Sequence, residues 1–410
     1  MQRTARGRFS DMNHMSLRKM FSGSAGLILA AGFLALFISS ARFSIGLTLK
    51  PMVDELGWTR TDIGQAVGVF QVVTAFAMFA GGRMADTMNL RQIFGWGLGI
   101  SGLCLMAMSQ VAEPWHVLVI YGVIYAFANG IAAMSPVGVM VTRAFPQNAG
   151  FANGIASSGM SVGQLVIISI LAAVLVTIGW RSVFVWVGLT HFVLLPFILY
   201  GSPGAEAVRN EKSGPAREGM TLAEAMCTRQ FWILMVIYSI CGLNDFFVST
   251  HVVAFAQDRG LDTLLAGNLL AFMGVVGLIG VIAAGALGDR KGPVFGTAIA
   301  FAARAAVFVL VALDQSTLSI MIFAIVFGVT FLMTAPLTVL FIRDSFGLKN
   351  LGTIGGLIVM THHIFGGAGA WLGAAAFDTT GTYTIAFAIM LGASLLALLL
   401  TVTYKPLKRD

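Results

Sequence analysis

The stretch GALGDRKG, residues 285–292, repeats in a looser form the stretch GGRMAD, residues 81–86. Each stretch follows one long apolar run and precedes another. A single shift of 203 residues aligns three pairs of residues in the two parts of the chain: Gly57 with Gly260, Gly82 with Gly285, and Asp86 with Asp289. The sequence therefore predicts two related halves, each with a short glycine and aspartate element between apolar segments.

Around these stretches the chain is far more apolar than a soluble protein. Of its 410 residues, 57% are hydrophobic and 10% are charged, whereas a soluble domain keeps about a quarter of its residues charged. An apolar run of about 20 residues crosses the roughly 30 Å of hydrocarbon in a bilayer. Twelve such runs are present, at residues 25–49, 61–82, 92–110, 115–140, 151–178, 182–200, 231–255, 265–287, 294–313, 317–341, 352–376 and 382–403.

The predicted fold class is an all-α membrane protein, with twelve transmembrane helices in two pseudo-symmetric six-helix bundles. The apolar run at 25–49 is too long for the apolar region of a signal peptide, so we retain it as the first helix. The predicted domains are a cytoplasmic N-terminal tail at 1–24, an N-terminal bundle at 25–200, a cytoplasmic linker at 201–230, a C-terminal bundle at 231–403 and a cytoplasmic C-terminal tail at 404–410.

The distribution of Lys and Arg predicts which side of the membrane each loop faces. With the N-terminus inside, 19 of the 25 Lys and Arg residues lie on the inner side, as the positive-inside rule requires. We expect a multi-pass protein of a bacterial inner membrane with both termini in the cytoplasm. This topology and contact with anionic lipids explain the net charge of +7, and we expect no binding of nucleic acid.

The chemistry that the sequence offers is that of a carrier and not of an enzyme. Its three cysteines have neither metal-site nor CxxC spacing, and no catalytic nucleophile cluster is apparent. The chain also lacks a GxxxxGK[ST] loop, so we expect no cofactor and no direct use of ATP. The expected partners are a small-molecule substrate, protons and membrane lipids, and we expect a monomer.

The glycine and aspartate element resembles motif A of the major facilitator superfamily, a Gly-x-Leu-x-Asp-Arg-x-Gly pattern that follows the second and eighth helices. The copy at 285–292 matches this pattern well, and the copy at 81–86 lacks its leucine and arginine. The resemblance implies parallel halves that rock about a site near the membrane midplane. It also implies a cytoplasmic conformational gate, formed by Gly82, Asp86, Gly285, Asp289 and Arg290.

Two further stretches resemble one branch of that superfamily. GFANGIASSG at residues 150–159 and GGAGAWLG at residues 366–373, the latter followed by Phe377, Asp378 and Tyr383, are similar to the bacterial monocarboxylate transporter and oxalate:formate antiporter-like branch. This resemblance implies a substrate-binding arginine in the eighth helix, where the present chain has Val281. Either Arg42 or Arg304 then supplies the missing charge, or the substrate is not bound as a carboxylate.

Ionisable side chains inside the apolar runs are the main candidates for function. Placing one at the centre of a membrane helix costs about 2.5 to 3.5 kcal/mol on insertion scales, so each one present requires a reason. The candidates are Arg42, His191, Asp245, His251, Arg304, His362 and His363.

Arg42 and Asp245 form the most informative pair, because the 203-residue shift aligns them on the first helix of each half. We expect them to face each other across a central cavity. Arg42 is then the anchor for an anionic substrate, and Asp245 is the group that gains and loses a proton. The structural alternative is a permanent ion pair, or separate snorkelling of the two side chains towards water.

His362 is predicted both to carry a proton and to contact the substrate, since histidine titrates near neutral pH. Its neighbour His363 points about 100° away on a helix, so at most one of the two faces the same pathway directly. Arg304 is predicted to contact the substrate if its helix reaches the cavity. Packing inside the protein is the alternative for each of the three.

Several uncharged polar residues are predicted to complete the substrate pocket. Tyr121, Tyr125 and Asn129 follow one another at intervals of four residues, so they share one face of the fourth helix. Asn244 precedes the aspartate in the seventh helix. The alternative for these residues is an interhelical hydrogen bond, worth about 0.6 kcal/mol in membrane proteins.

These features predict a secondary active transporter that moves a small organic anion, a monocarboxylate, by alternating access with proton coupling. The alternative is a proton-driven exporter of a lipophilic compound or drug, in which Asp245 binds both the cation and the proton.

Overall fold

The computed structural model describes residues 22–145, 149–203, 219–347 and 350–407, without the side chains at 86, 87, 149–151, 285, 286, 289, 351 and 352. Most of the predicted N-terminal tail, the middle of the predicted linker and the last three residues of the predicted C-terminal tail lie outside the described residues. Within the described ranges the fold is helical, apart from an isolated antiparallel bridge between Gly219 and Gly347. The predicted all-α class is confirmed.

The first half of the described chain is built from long helices. They are α1 at Gly23–Leu56, α2 at Arg60–Thr87, α3 at Leu90–Met108, α4 at Pro114–Ala144, and a 53-residue segment at Ala149–Gly201. Gly179 has a positive φ (φ 73°, ψ 160°), which divides the last segment into α5 at 149–178 and α6 at 180–201. A straight helix of this length would measure about 80 Å, so its two arms each supply one crossing.

The second half repeats this plan. A short helix at Leu222–Met226 precedes the first long helix of this half. The long helices are α7 at Arg229–Asp258, α8 at Thr263–Lys291, α9 at Pro293–Leu313, α10 at Thr317–Phe346, α11 at Leu351–Thr380 and α12 at Thr384–Val402.

The described helices are long enough for the predicted topology. Ten segments are long and apolar enough to cross a membrane, and one of them contains the two arms α5 and α6. The 30-residue α11 has the required length but carries two histidines, which lower its hydropathy. Counting both arms and α11 gives the twelve segments of the sequence prediction, and that each crosses a bilayer stays a prediction.

The helices extend beyond the apolar runs that predict them. The apolar run of α1 ends at residue 49, but the helix continues to Leu56 and stops at Gly57, which has a positive φ of 68°. The extra turns contain Lys50, Asp54 and Glu55. Hydropathy marks the part of a helix that lies in hydrocarbon, whereas the helix itself ends where its backbone geometry changes.

Glu55 is the centre of a hydrogen-bond network that joins the ends of three helices in the first half. Its carboxylate accepts hydrogen bonds from Trp180 Nε1 at 2.7 Å and from Arg181 Nε at 3.1 Å. The Arg181 guanidinium also donates to the carbonyl oxygens of Ser109 at 2.7 Å and Val111 at 3.1 Å. The ends of α1, α3 and α6 are therefore held in one network.

Two helices lose regular α geometry in the middle of the bundle. α1 forms a 3₁₀ turn over Ser40–Phe43, and α4 forms a π-helix over Leu118–Tyr125. π segments within α-helices are frequent at functional sites. The Tyr121 hydroxyl donates a 2.8 Å hydrogen bond to the Arg42 carbonyl oxygen, so the two irregular segments bond directly to each other.

The halves meet through three pairs of helices: α1 with α7, α2 with α11, and α5 with α8. Glycine makes the approach possible. A Cβ on Gly46 would lie 2.7 Å from the Ser249 carbonyl oxygen, and one on Gly68 would lie 3.2 Å from the Gly367 carbonyl oxygen. Backbones that pack this closely are typical of membrane helices with small residues at the contact.

The two motif A copies lie in the last turns of α2 and α8, and not after these helices as predicted. Hydropathy falls at the membrane surface before either helix ends, which explains the error. A Cβ on Gly82 would lie 3.7 Å from Ser135 of α4, within the same half. Arg290 is exposed. The side-chain positions at Asp86, Gly285 and Asp289 lie outside the described residues, so the predicted gate stays a prediction.

Candidate functional site

A narrow cavity lies between the halves at the level of the irregular segments. It is lined by Arg42, Phe43 and Ile45 from α1, Val67, Phe70 and Gln71 from α2, Tyr121 from α4, and Phe246, Ser249 and Thr250 from α7. Both halves therefore contribute to its wall, as a midplane transport site requires.

Arg42 supplies the positive charge of this cavity. Its Nη2 lies 3.6 Å from the Met160 sulfur, its guanidinium carbon lies 4.9 Å from the centre of the Phe43 ring, and its Nε has no hydrogen-bond partner among the described residues. No carboxylate of the described chain forms an ion pair with it. A partly buried cation without a counter-ion is costly, and an anion in the cavity would remove that cost.

A stack of aromatic rings forms the wall beside Arg42. Phe70 lies 4.8 Å from Tyr121 between ring centres, and Tyr121 lies 5.2 Å from Tyr125. The prediction that Tyr121 and Tyr125 share one face of α4 is thus confirmed. Tyr121 lines the cavity, whereas Tyr125 and Asn129 are buried behind it and do not line it.

Asp245 is surrounded by three polar side chains of its own half. Its Oδ1 lies 2.8 Å from Arg304 Nη2, and its Oδ2 lies 3.2 Å from His362 Nε2 and 3.4 Å from Cys241 Sγ. We call these four residues the Asp245 cluster. The contact with Arg304 is an ion pair without hydrogen-bond geometry, since Asp245 Oδ1 has no hydrogen-bond partner among the described residues. The same Nη2 donates a hydrogen bond to the Thr330 carbonyl oxygen at 2.8 Å.

The expected pairing of Arg42 with Asp245 is wrong. The 203-residue shift aligned their positions along the chain correctly, but Asp245 faces α9 and α11 of its own half and pairs with Arg304 and His362. Sequence alignment of the halves gives the depth of a residue and not the direction of its side chain. Arg42 is left without the carboxylate that we expected opposite it.

Arg304 is also not placed as predicted. Its side chain is fully buried, its Nε donates to the Thr330 hydroxyl at 3.1 Å, and it does not line the cavity. Asn244 likewise points away, because its amide nitrogen donates to the Ser394 hydroxyl of α12 at 2.7 Å. Both residues therefore pack within the second half, which corrects their prediction as substrate contacts.

The adjacent histidines of α11 have different partners. His362, with a side chain that is 20% exposed, bonds Asp245, whereas buried His363 contacts Gln71 Oε1 of α2 at 2.9 Å. His362 does not line the cavity, but its ring lies 5.6 Å from that of Phe246, which does. His363 therefore bridges the two halves.

A second interhalf cluster, which sequence reasoning missed, lies at the end of the bundle where α2 begins. Arg60 donates to Asp258 at 2.7 Å and to the Tyr383 hydroxyl at 2.6 Å, and its guanidinium lies 3.6 Å from the centre of the Phe377 ring. Asp378 accepts from the Arg60 backbone N–H at 3.1 Å. We call these five residues the Arg60 cluster and this end of the bundle the Arg60 end.

The Arg60 cluster connects α2 of the first half to α7, α11 and α12 of the second. The Arg60 side chain is 5% exposed and that of Asp258 is 19% exposed, so the pair is poorly screened by water. The sequence contained a signal for it. Phe377, Asp378 and Tyr383 belong to the pattern that resembles the monocarboxylate branch, whereas Arg60 stands in a predicted loop where a charge is ordinary.

The Asp245 cluster also has the donors of a metal site. The donor atoms of Cys241, Asp245 and His362 all lie within 4.8 Å of one another. The Arg304 guanidinium, 2.8 Å from the same carboxylate, adds a positive charge that opposes a cation at this point. The arrangement therefore suits a proton better than a metal ion.

The fold and the cavity define a membrane carrier with a binding space between two helical halves. The chain belongs to the Major Facilitator Superfamily, whose model matches residues 28–370. This confirms the predicted family and shows that the protein is a secondary transporter and not an enzyme.

Similar proteins agree with this assignment. The chain is 24% identical over 376 residues to the uncharacterized MFS-type transporter YcxA of Bacillus subtilis (strain 168), covering 87% of this chain and 88% of that protein. It is 22% identical to monocarboxylate transporter 13 of Rattus norvegicus, covering 90% and 86%. A mutant of the nucleoside transporter NupG has a similar fold, with a TM-score of 0.77, 14% identity, and coverage of 92% of this chain and 99% of that one.

Proposed function

We propose that this transporter carries a small organic monoanion, a monocarboxylate, with Arg42 as the anchor for its carboxylate. One observation carries the proposal: Arg42 is the cation of the interhalf cavity, and no described carboxylate pairs with it. Arg304, the other arginine within the predicted membrane spans, is already paired with Asp245. The similarity to a protein named monocarboxylate transporter 13 supports the same substrate class.

The charge distribution argues against the alternative, an exporter of lipophilic cations. That function needs a free carboxylate in the cavity. Asp245, the candidate for this role, has a guanidinium 2.8 Å from one oxygen and an imidazole 3.2 Å from the other. A cationic substrate would also meet Arg42 in the cavity, and two like charges in a low dielectric repel strongly.

We propose that the Asp245 cluster couples transport to protons. His362 is more exposed than Asp245, so it is the member that exchanges a proton with water. Protonation turns its 3.2 Å contact with Asp245 into a second ion pair, in competition with Arg304. The other groups that face this imidazole are Cys241 and His363. Phe246, between His362 and the cavity, connects the proton site to the substrate site.

The Arg60 cluster supports alternating access by rocking of the two halves. We infer that it is the closed gate of one side, joining α2 to three helices of the second half. Gly154 and Gly356 lie near the starts of α5 and α11, at the end of the bundle opposite to the Arg60 end. A Cβ added at either glycine would meet no described atom of a neighbouring helix within 4 Å, so these helices are loosely packed there. With the topology that the Lys and Arg distribution predicts, the Arg60 end faces the periplasm of a bacterial inner membrane and the cytoplasmic side is open.

Reconstituted protein tests both parts of the proposal. Proteoliposomes should accumulate a labelled monocarboxylate when an inward proton gradient is imposed. Arg42→Ala should abolish uptake and Arg42→Lys should retain some of it, because lysine keeps the charge but not the planar geometry. Arg181→Gln is the matched control, since the contacts of Arg181 lie within the first half and it does not line the cavity.

Two results would contradict the proposal separately. Uptake that is equal in the parent and in Arg42→Ala would remove Arg42 from the substrate site. Uptake that ignores the proton gradient, together with unchanged transport in Asp245→Asn and His362→Ala, would exclude proton coupling through the Asp245 cluster.

A further inference from the structure

We propose that the carried anion is a flat aromatic monocarboxylate, with its carboxylate on Arg42 and its ring against aromatic side chains of the two halves. This inference rests on the proposed function and narrows its substrate class. It combines two properties of the cavity: its charge and the chemistry of its walls.

The charge of the cavity fits one carboxylate. Arg42 is the sole cationic side chain among the described residues that line it, and the lining contains no acidic residue. The guanidinium offers parallel N–H donors that match the two oxygens of a carboxylate. A second carboxylate on the same molecule would have no cation to meet, because Arg304 is held by Asp245.

The walls of the cavity are aromatic on both sides. Four of its ten lining residues carry aromatic rings: Phe43, Phe70, Tyr121 and Phe246. Phe70 and Tyr121 are already stacked on each other, with 4.8 Å between ring centres and 22° between planes. Further ring contacts extend such a stack favourably, because the edge of one ring is attracted to the face of the next.

Phe246 gives the aromatic substrate a role in coupling. It comes from α7 of the second half, and its ring lies 5.6 Å from that of His362 and 5.2 Å from that of His363. Gly366 of α11 leaves the space that the Phe246 ring occupies, since a Cβ there would overlap it. A substrate ring that contacts Phe246 therefore presses on the residue beside the proton site.

A matched series of ligands tests the inference in proteoliposomes. Labelled benzoate is the probe, and the unlabelled competitors are cyclohexanecarboxylate, lactate, phthalate and benzamide. Cyclohexanecarboxylate has the same charge and nearly the same size as benzoate, but its ring is not flat. We expect benzoate to compete about two- to tenfold better than cyclohexanecarboxylate, the range that aromatic stacking adds beyond burial. Phthalate and benzamide should compete poorly.

Two variants connect this preference to the wall. Phe70→Leu and Phe246→Leu keep an apolar side chain but remove the ring. Each should reduce the preference for benzoate over cyclohexanecarboxylate towards one. The two variants lie in different halves, so the test still holds if one of them fails to fold. Thermal unfolding of the purified proteins shows whether each variant is folded.

The outcomes separate this inference from the proposed function. Benzoate uptake that depends on Arg42 and prefers the flat ring supports both. Arg42-dependent uptake of lactate without competition by benzoate overturns the aromatic substrate and leaves the monoanion proposal standing. Equal competition by benzoate and cyclohexanecarboxylate overturns the role of the aromatic wall. Benzoate uptake that is unaffected by Arg42→Ala contradicts the proposed function itself.

Discussion

Replacement of Arg60 by glutamine should release the Arg60 end of the transporter. The variant loses the ion pair with Asp258 and the 3.6 Å contact with the Phe377 ring, and it weakens the hydrogen bond to the Tyr383 hydroxyl. Hydrogen bonds to charged groups contribute about 1.5 to 3 kcal/mol each. Lys50, 3.6 Å from Asp258, compensates part of the loss. We therefore expect the closed state to lose about 3 kcal/mol, a change of roughly 100-fold in its equilibrium.

The opening can be measured as a distance between spin labels. Trp115 and Leu264 are exposed at the starts of α4 and α8, on opposite halves at the Arg60 end, and accept cysteine substitutions for labelling. Exposed Cys227 is replaced by serine in the same background. A parent that is about 99% closed becomes about half closed after a 100-fold shift, so a second, longer distance should appear in Arg60→Gln.

A matched control is available at the same end of the bundle. Arg181→Gln removes an ion pair with Glu55 that lies entirely within the first half, so the distance distribution should stay that of the parent. If Arg60→Gln also keeps the single distance of the parent, the Arg60 cluster does not hold the halves together and the reasoning fails.

Three further predictions concern the interior. Asp245→Asn should lower the free energy of unfolding by about 3 to 5 kcal/mol, because Arg304 is left as a buried unpaired charge. Adding Arg304→Met to the same chain should restore most of this loss, as measured by thermal unfolding. Gly46→Ala should slow transport and destabilise the protein by about 1 to 3 kcal/mol, while Gly154→Ala, where the added Cβ meets open space, should behave as the parent in both assays. Tyr121→Phe removes a hydrogen bond to the 3₁₀ turn of α1 and should cost about 1 kcal/mol of stability, with weaker substrate uptake; an unchanged melting temperature would argue that this bond contributes nothing.

The fold could be predicted from the sequence because lipid imposes strong rules on it. The apolar runs, the 203-residue shift and the motif A copies are all visible in one dimension. The same rules locate costly residues, so Arg42, Asp245, Arg304 and His362 stand out among their apolar neighbours along the chain. Each of them lies in a polar contact or at the cavity wall.

The partners of these residues could not be predicted in the same way. Arg304 and Asp245 are separated by 59 positions, and their contact depends on the rotation of α7 and α9 about their axes. Hydropathy does not report this rotation, because both helices are apolar on nearly every face. Arg60 was missed for a different reason. It lies beyond the hydrocarbon in sequence, where charges are common, and only the fold brings Asp258 and Tyr383 to it.

The network around Glu55 has a consequence for the proposed rocking of the two halves. Its hydrogen bonds hold the ends of α1, α3 and α6 together as one rigid unit, through Trp180, Arg181 and the carbonyl oxygens of Ser109 and Val111. A rigid unit keeps its internal hydrogen bonds when it moves. Their free energy is then the same in both states and does not contribute to the difference between the states. Under the proposed rocking of the halves, a substrate therefore has to overcome only the contacts between the halves and not the bonds within this network.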